Sequence, residues 1–377
     1  MSVHVASVGT GRYGKRPEGL IDLAAEAANL ALEGIGRKPI DLLIAGTMLA
    51  HGPYGTETFL PRIASRLSLE SASGFRVDSA SGTGGMAFHA AAILLESGRF
   101  ERALVVAAEK MTDQSTAIIT RELAASLHSS EVAHGATMPA LAALVTQRYL
   151  QRHHLTTEVC DRASVHARAM AARNPNAHFQ KPVTAAEVAS SRPVALPLRL
   201  LHCSPISDGA TALVLERGKG PATVLGLGQG FDALRIADRA DLSSFTATRV
   251  AAKRAYESAR LTRREVEFVE VHDAFSPFAL MHIEDLGLCG PGEAAEWFEK
   301  GWVLPDGRLP VNPSGGVIGR GHPVAASGLA EVGEVALQLR GEAGRRAIAR
   351  PPKVGLAQAM SGIASHNFVT ILGREAP

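Results

Sequence analysis

Segments that read as buried strands alternate with segments that read as helices, and this alternation restricts the chain to an α/β architecture with mainly parallel sheets. VHVASVG (3–9) has strand character, and LIDLAAEAANLALEGI (20–35) places its apolar residues at helical spacing. DLLIAGTML is a short buried strand, FLPRIASRLSL a helix and GFRVDSA a strand. MAFHAAAILLESG is a helix that Gly98 ends, and RALVVAAEK is another buried strand. A similar order returns after residue 221. ATVLGLGQG is a strand, TATRVAAKRAYESARL a helix, and VEFVEVHDAF a strand running into a polar turn. A Gly-rich stretch from Leu309 to Gly328 then leads into the helix GLAEVGEVALQL, and KVGLAQAM and HNFVTIL are closing strands. SASGTGGMAFHAAAILLESG and SGGVIGRGHPVAASGLAEVG take comparable places in the two halves, which suggests an internal duplication. From about residue 112 to 200 polar helices dominate and no clear strand appears. This stretch reads as a helical insertion, after which ISDGATALVLER (206–217) returns to strand.

The 377 residues suffice for one large domain or two ordinary ones, and a hydrophobic content of 46% supplies a substantial core. A net charge of +2, without any run of like charges, argues against a nucleic-acid or membrane surface. The start MSVHVASVGTGRYGK lacks the apolar core of a secretory signal, and no stretch approaches the ~20 apolar residues of a membrane span. The three cysteines, Cys160, Cys203 and Cys289, lie far apart with neither metal nor disulfide spacing. The expectation is a protein of the reducing cytoplasm with no metal site.

Three polar turns stand where open α/β sheets place their sites. The first, Asp78 to Gly85, joins a strand to a helix. A hydroxyl there faces unpaired N–H groups and the positive end of the helix dipole, and the glycines admit a ligand to the backbone. Ordinary capping by Ser81 or Thr83 is the other reading. The second turn places His272 at the end of VEFVEV, where an imidazole either donates to a carbonyl oxygen or serves the structure alone. The third runs from Asn312 to Pro323, with His322 fixed before a proline at a helix entrance. Together the turns amount to a nucleophile with two histidines, an acyl-transfer constellation.

At these residues the chain resembles the thiolase superfamily, in the branch of the sterol-carrier-protein thiolases and their bacterial lipid-transfer relatives. The resemblance covers nearly the whole chain. It is carried by ESGRFERALVVAAEKMT, by the segment from RNPNAHFQ to GATALVLE, by VEVHDAFSPFAL, by GRLPVNPSGGVIGRGHPVAASG and by the turn in GLAQAMSG. It implies two α/β halves, each with a five-stranded sheet, in a five-layer arrangement. Residues 1–115 and 201–217 would form the N-terminal half, 116–200 a loop domain that helps hold coenzyme A, and 218–377 the C-terminal half. It also implies a homodimer and a coenzyme A thioester as substrate, with no permanently bound cofactor.

Position by position, the resemblance makes His322 the base and oxyanion donor and gives His272 an oxyanion role. Gly362, with Asn312, supplies the backbone side of the oxyanion site, although SGIAS matches the family's Gly-Gly-x-Gly loosely. The family's nucleophile is a cysteine. Counting back from Ser97-Gly98 puts Ser81 at that position, and the C-terminal turn carries no thiol either. Three functions follow. The first is an acyltransferase on acyl-CoA thioesters acylated at Ser81. The second is a retro-aldolase on a CoA thioester that forms no covalent intermediate and works with an OB-fold partner. The third is a non-catalytic subunit that binds acyl-CoA.

Overall fold

In the computed structural model, which describes residues 2–49 and 58–374, the first half opens with β1 (Val3–Thr10), α1 (Leu20–Glu33), β2 (Leu42–Gly46) and α2 (Phe59–Arg66). It continues through β3 (Ser73–Val77), α3 (Thr83–Glu96) and β4 (Arg102–Glu109). The insertion contains α4 (Thr116–Ala124), α5 (Ser129–Ala133), α6 (Met138–Arg152), α7 (Glu158–Ala171) and α8 (Ala185–Ser190). It also holds a small hairpin, β5 (Pro193–Ala195) with β6 (Leu198–Arg199), where no strand is expected. β7 (Gly209–Arg217) closes the first half.

The second half comprises β8 (Thr223–Phe231), α9 (Thr246–Ala259), β9 (Phe268–Val271), α10 (Ser276–Asp285) and α11 (Ala294–Glu299). It ends with α12 (Gly316–Arg320), α13 (Val324–Arg340), β10 (Val354–Ser361) and β11 (His366–Gly373).

The strands lie in the order β3-β2-β4-β7-β1-β8-β11-β10-β9. The duplication is visible in this order. In the first half the strands stand third, second, fourth, fifth, first. The second half repeats the order with its third position reduced to one parallel bridge, Val311 with Val269. The halves meet edge to edge at a single residue pair, His4 with Thr223. The sheets are mixed rather than mainly parallel. β10 and β11 are joined by a short turn, which forces them antiparallel, and β7 runs antiparallel to both β4 and β1.

Alanine-rich outer helices rest directly on glycines of the first strand in each half. A Cβ at Gly9 of β1 would lie 2.1 Å from the Ala27 carbonyl of α1, and one at Gly228 of β8 would lie 2.0 Å from the Ala251 carbonyl of α9. α3 and α13 pack on each other in a core shared with strands of both halves, and small residues predominate where the two helices meet. They touch backbone to backbone: a Cβ at Gly84 would lie 2.3 Å from the Leu329 amide nitrogen, and one at Gly328 would lie 3.0 Å from that of Gly85. This crossing puts the start of α3 and the start of α13 side by side.

Candidate active site

The turn before α3 is tied down by residues other than Ser81. The Asp78 carboxylate accepts from the Ala80 N–H (3.0 Å), and the Thr83 hydroxyl donates to the Ala80 carbonyl (2.7 Å) while accepting from the Ser79 N–H (2.8 Å). Ala80 is held at φ +47°, a left-handed conformation that an alanine adopts only under constraint, and such strain gathers at functional turns. The Ser81 hydroxyl caps nothing. It reaches across to the second half and donates to the Met360 carbonyl at 2.8 Å. The glycines of this turn serve packing rather than ligand approach. Gly82 and Gly85 lie against Phe368, and Gly84 lies against α13.

A small cavity of about 60 Å³ opens at this point, room for a group of a few heavy atoms. Ser81, His322 and Gly362 line it together with Ala80, Ser126, Ser204 and the apolar side chains of Met48, Leu123, Phe275, Val324 and Met360. Gly362 sits at φ +58°, which a side chain would resist, in the turn between β10 and β11. A second link braces this turn. The hydroxyls of Ser79 and Ser361 lie 2.8 Å apart, and Ser79 also meets His366 Nδ1 at 3.1 Å.

His322 precedes α13, and its backbone N–H donates to the Ser207 hydroxyl at 3.2 Å. Its Nδ1 lies 2.7 Å from the Ser327 hydroxyl, whose own proton goes to the Pro323 carbonyl at 3.0 Å. With the Ser327 proton on the Pro323 carbonyl, the hydroxyl accepts from Nδ1, and in this arrangement Nε2 keeps a free lone pair. Burial, then the nearby His272 and Arg320, hold the imidazole well below its ordinary pKa, so it is neutral and able to take a proton.

His272 directly follows β9 and is fully buried, with its ring centroid 5.0 Å from that of His322. It stands beside His322 and is not itself among the residues that line the cavity, whereas Ala274 and Phe275, two and three positions on, are. Its Nδ1 is 2.8 Å from Glu331 Oε1, and its Nε2 has no partner in the protein. Burial, with Arg320 nearby, lowers its pKa to about 3. Asp273 turns the other way and accepts from the Val317 N–H at 2.6 Å, which fixes the turn leading to His322.

Asn312 departs from the expectation. Both ends of its amide serve the Val271 backbone, accepting from its N–H at 2.6 Å and donating to its carbonyl at 3.0 Å. It holds β9 in place and does not line the cavity. The cysteines offer no substitute nucleophile, because burial pushes Cys160 and Cys203 up to about 12 and Cys289 higher still. Sequence reasoning missed Glu331 and Ser327, the partners of the two histidines. A glutamate within the apolar run Leu329 to Gly333 of α13 was the available signal for Glu331.

Residues 7–219 match the family described as "Thiolase, N-terminal domain" and residues 228–374 match "Thiolase C-terminal domain-like". An acetyl-CoA acetyltransferase of Methanothermobacter thermautotrophicus is 36% identical over 365 residues, covering 94% of each chain. Sterol carrier protein 2 of Gallus gallus is 28% identical over 372 residues, covering 92% of this chain and 67% of that protein. Among solved structures, the Ltp2-ChsH2(DUF35) aldolase superposes with a TM-score of 0.83 at 24% identity, over 99% of this chain and 98% of that one. Duplicated halves, two central helices crossing at glycines, the Ser81 turn and the His322 turn brought to one cavity, and both domain matches agree: the chain belongs to the thiolase family.

Proposed function

We propose that the protein transfers acyl groups from coenzyme A thioesters, with Ser81 accepting the acyl group and His322 acting as its base. The observation that supports this is the single cavity lined by Ser81, by His322 with a free Nε2, and by the Gly362 turn. In the first step Ser81 Oγ attacks the thioester carbonyl and His322 Nε2 takes its proton. The C–S bond breaks and the proton passes to the departing CoA sulfur, leaving a seryl ester. In the second step an acceptor attacks the ester as His322 Nε2 takes its proton, the acyl C–Oγ bond breaks, and the proton returns to Ser81 Oγ. The N–H groups of Ser81 and Gly362 receive the oxyanion in both steps, and His272 polarises the carbonyl oxygen of the substrate. The acetyl-CoA acetyltransferase relative agrees with a CoA thioester donor, and the cavity volume suits a short acyl group.

A serine makes the reaction directional. A hydroxyl is much less acidic than a thiol, so its proton must leave during attack. Transfer from thioester to ester runs downhill, and return of the acyl group to CoA runs uphill. Ser81 must also rotate away from the Met360 carbonyl to meet its base. Intact-mass measurement after incubation with acetyl-CoA tests this reading. An acyl adduct mapping to Ser81 and absent from Ser81→Ala is expected, and no adduct with acetyl-CoA or with longer donors overturns it.

The same hydrogen bond favours a second reading. If Ser81 keeps its bond to Met360, the paired histidines act alone on a β-hydroxyacyl-CoA. His322 removes the hydroxyl proton, the Cα–Cβ bond breaks, and Cα receives a proton as the carbonyl product leaves. An OB-fold partner belongs to this reading, and Ser81→Ala would then retain cleavage. A homodimer fits both readings, because β3 is an open edge strand whose residues Ser73 to Phe75 are exposed.

A further inference from the structure

α13 is buried on nearly every face, yet it carries Glu331, Glu334 and Gln338 inside the protein. Glu334 is used by Arg346 at 2.8 Å and by Gln338 at 2.9 Å. Glu331 meets His272 alone: Oε1 lies 2.8 Å from Nδ1, both side chains are wholly buried, and Oε2 has no partner. A contact of this length holds one hydrogen, and the hydrogen has two possible owners. If the ring owns it, Glu331 is a carboxylate and His272 Nε2 is bare. If the carboxyl owns it, Nδ1 accepts and the ring carries its proton on Nε2.

The surroundings decide between these. Arg320, the last residue of α12, faces the pair but is shared with Glu270 of β9, its Nη1 lying 3.6 Å from Oε2. Asp273 after β9, Glu334 on α13 itself, Tyr13 after β1, His322, and His282 of α10, which burial keeps neutral, are the other titratable groups nearby. None of these brings a second cation. A carboxylate at Glu331 would be a buried charge with one hydrogen bond and only the shared, non-contacting Arg320 as counter-charge, which is strongly unfavourable. Burial accordingly pushes the Glu331 carboxyl well above its ordinary range.

We propose that Glu331 is a positioning residue for His272: it donates its carboxyl proton to Nδ1 and thereby fixes the ring as a donor at Nε2. The oxygen this N–H would serve is the substrate carbonyl, so the role rests on the carbonyl-polarising reading of His272 above. The orphaned Nε2 is then a donor waiting for that oxygen rather than a second base. His322, held in the opposite tautomer by Ser327, remains the base. Two adjacent histidines are thus given different jobs by their Nδ1 partners.

Ring-¹⁵N-histidine NMR of the substrate-free protein tests the tautomer without any turnover. His272 signals are assigned by their loss in His272→Gln. Protonated Nε2 with unprotonated Nδ1 near neutral pH is expected, and a proton on Nδ1 overturns the proposal whatever the reaction proves to be. In turnover, Glu331→Gln can still donate an amide N–H to Nδ1. It should keep kcat within about tenfold, while Glu331→Leu should lower kcat by about a hundredfold or more with a smaller change in KM. Equal losses in the two variants would show a merely structural role and also overturn the proposal. If Glu331→Leu does not fold, the NMR tautomer decides alone.

Discussion

Single side chains in this site are specialised by what holds their unused atoms. In the proposed reading His322 serves as the base because its Nδ1 is engaged by the Ser327 hydroxyl, which leaves Nε2 to face the cavity. Replacing it with asparagine keeps a polar group in the cavity but removes the base, and turnover should fall by about 10²–10⁴-fold with the fold unchanged by circular dichroism. A smaller loss would mean that proton transfer is not its task. That Ser81 and His322 would share a site was legible from their turns and the family resemblance, and Gly362 from the resemblance alone; all three line one cavity. Asn312 was misjudged because an amide in a Gly-rich turn looks alike whether it faces a ligand or brackets a strand. Its two bonds to Val271 are tertiary facts without a local signature. The same holds for Glu331, whose partner stands 59 residues away.

At the level of elements, the glycines of the nucleophile turn take on a different meaning. Local reasoning assigned them to ligand approach, yet Gly84 gives α3 room to touch α13. Gly84→Ala would drive a methyl group into the Leu329 backbone. The expected cost is roughly 1–3 kcal/mol or more, which overpacking exacts and which exceeds the helix propensity an alanine brings. Chemical denaturation checks the stability. Activity should fall further than stability, because the crossing sets the distance between Ser81 and His322. The strands and long helices were legible from periodicity. The β5–β6 hairpin was not, since strands this short hold too few residues to display a period of two. Sheet direction also escaped, because it depends on the tight β10–β11 turn and on the return path of β7.

For the whole molecule, two properties follow. The first concerns the open edge at β3, which presents Phe75 at 38% exposure. Light scattering should show a dimer, and Phe75→Lys should shift it toward monomer; a wild-type monomer would remove the edge-pairing idea. The second concerns pH. His89 and His272 are held near 3 and His166 near 4 by burial, with His282 and His322 also well below the ordinary value. Groups depressed in this way take up protons in the unfolded chain first, so stability is lost as pH falls from about 6.5. Glu109, Asp273 and Asp285 are pushed up to about 7, so they contribute the opposite sign between about pH 7 and 4. The two sets offset each other until the unfolded carboxyls are protonated. The thermal midpoint should change little from pH 6.5 to 4.5 and drop steeply below that. A steady decline from pH 6.5 would mean that the carboxyls are not raised.

The bond from Ser81 to the Met360 carbonyl joins residues 279 positions apart and crosses from one half of the duplication to the other. Contacts of such sequence separation form late, because the chain entropy of closing the loop must be overcome before they contribute. Each half can assemble its own strands and outer helix from nearer neighbours. The cavity appears only when α3 and α13 have docked. Competence for chemistry is therefore a property of the last folding event, and a chain that has regained its secondary structure but not this docking would be native in appearance and inert.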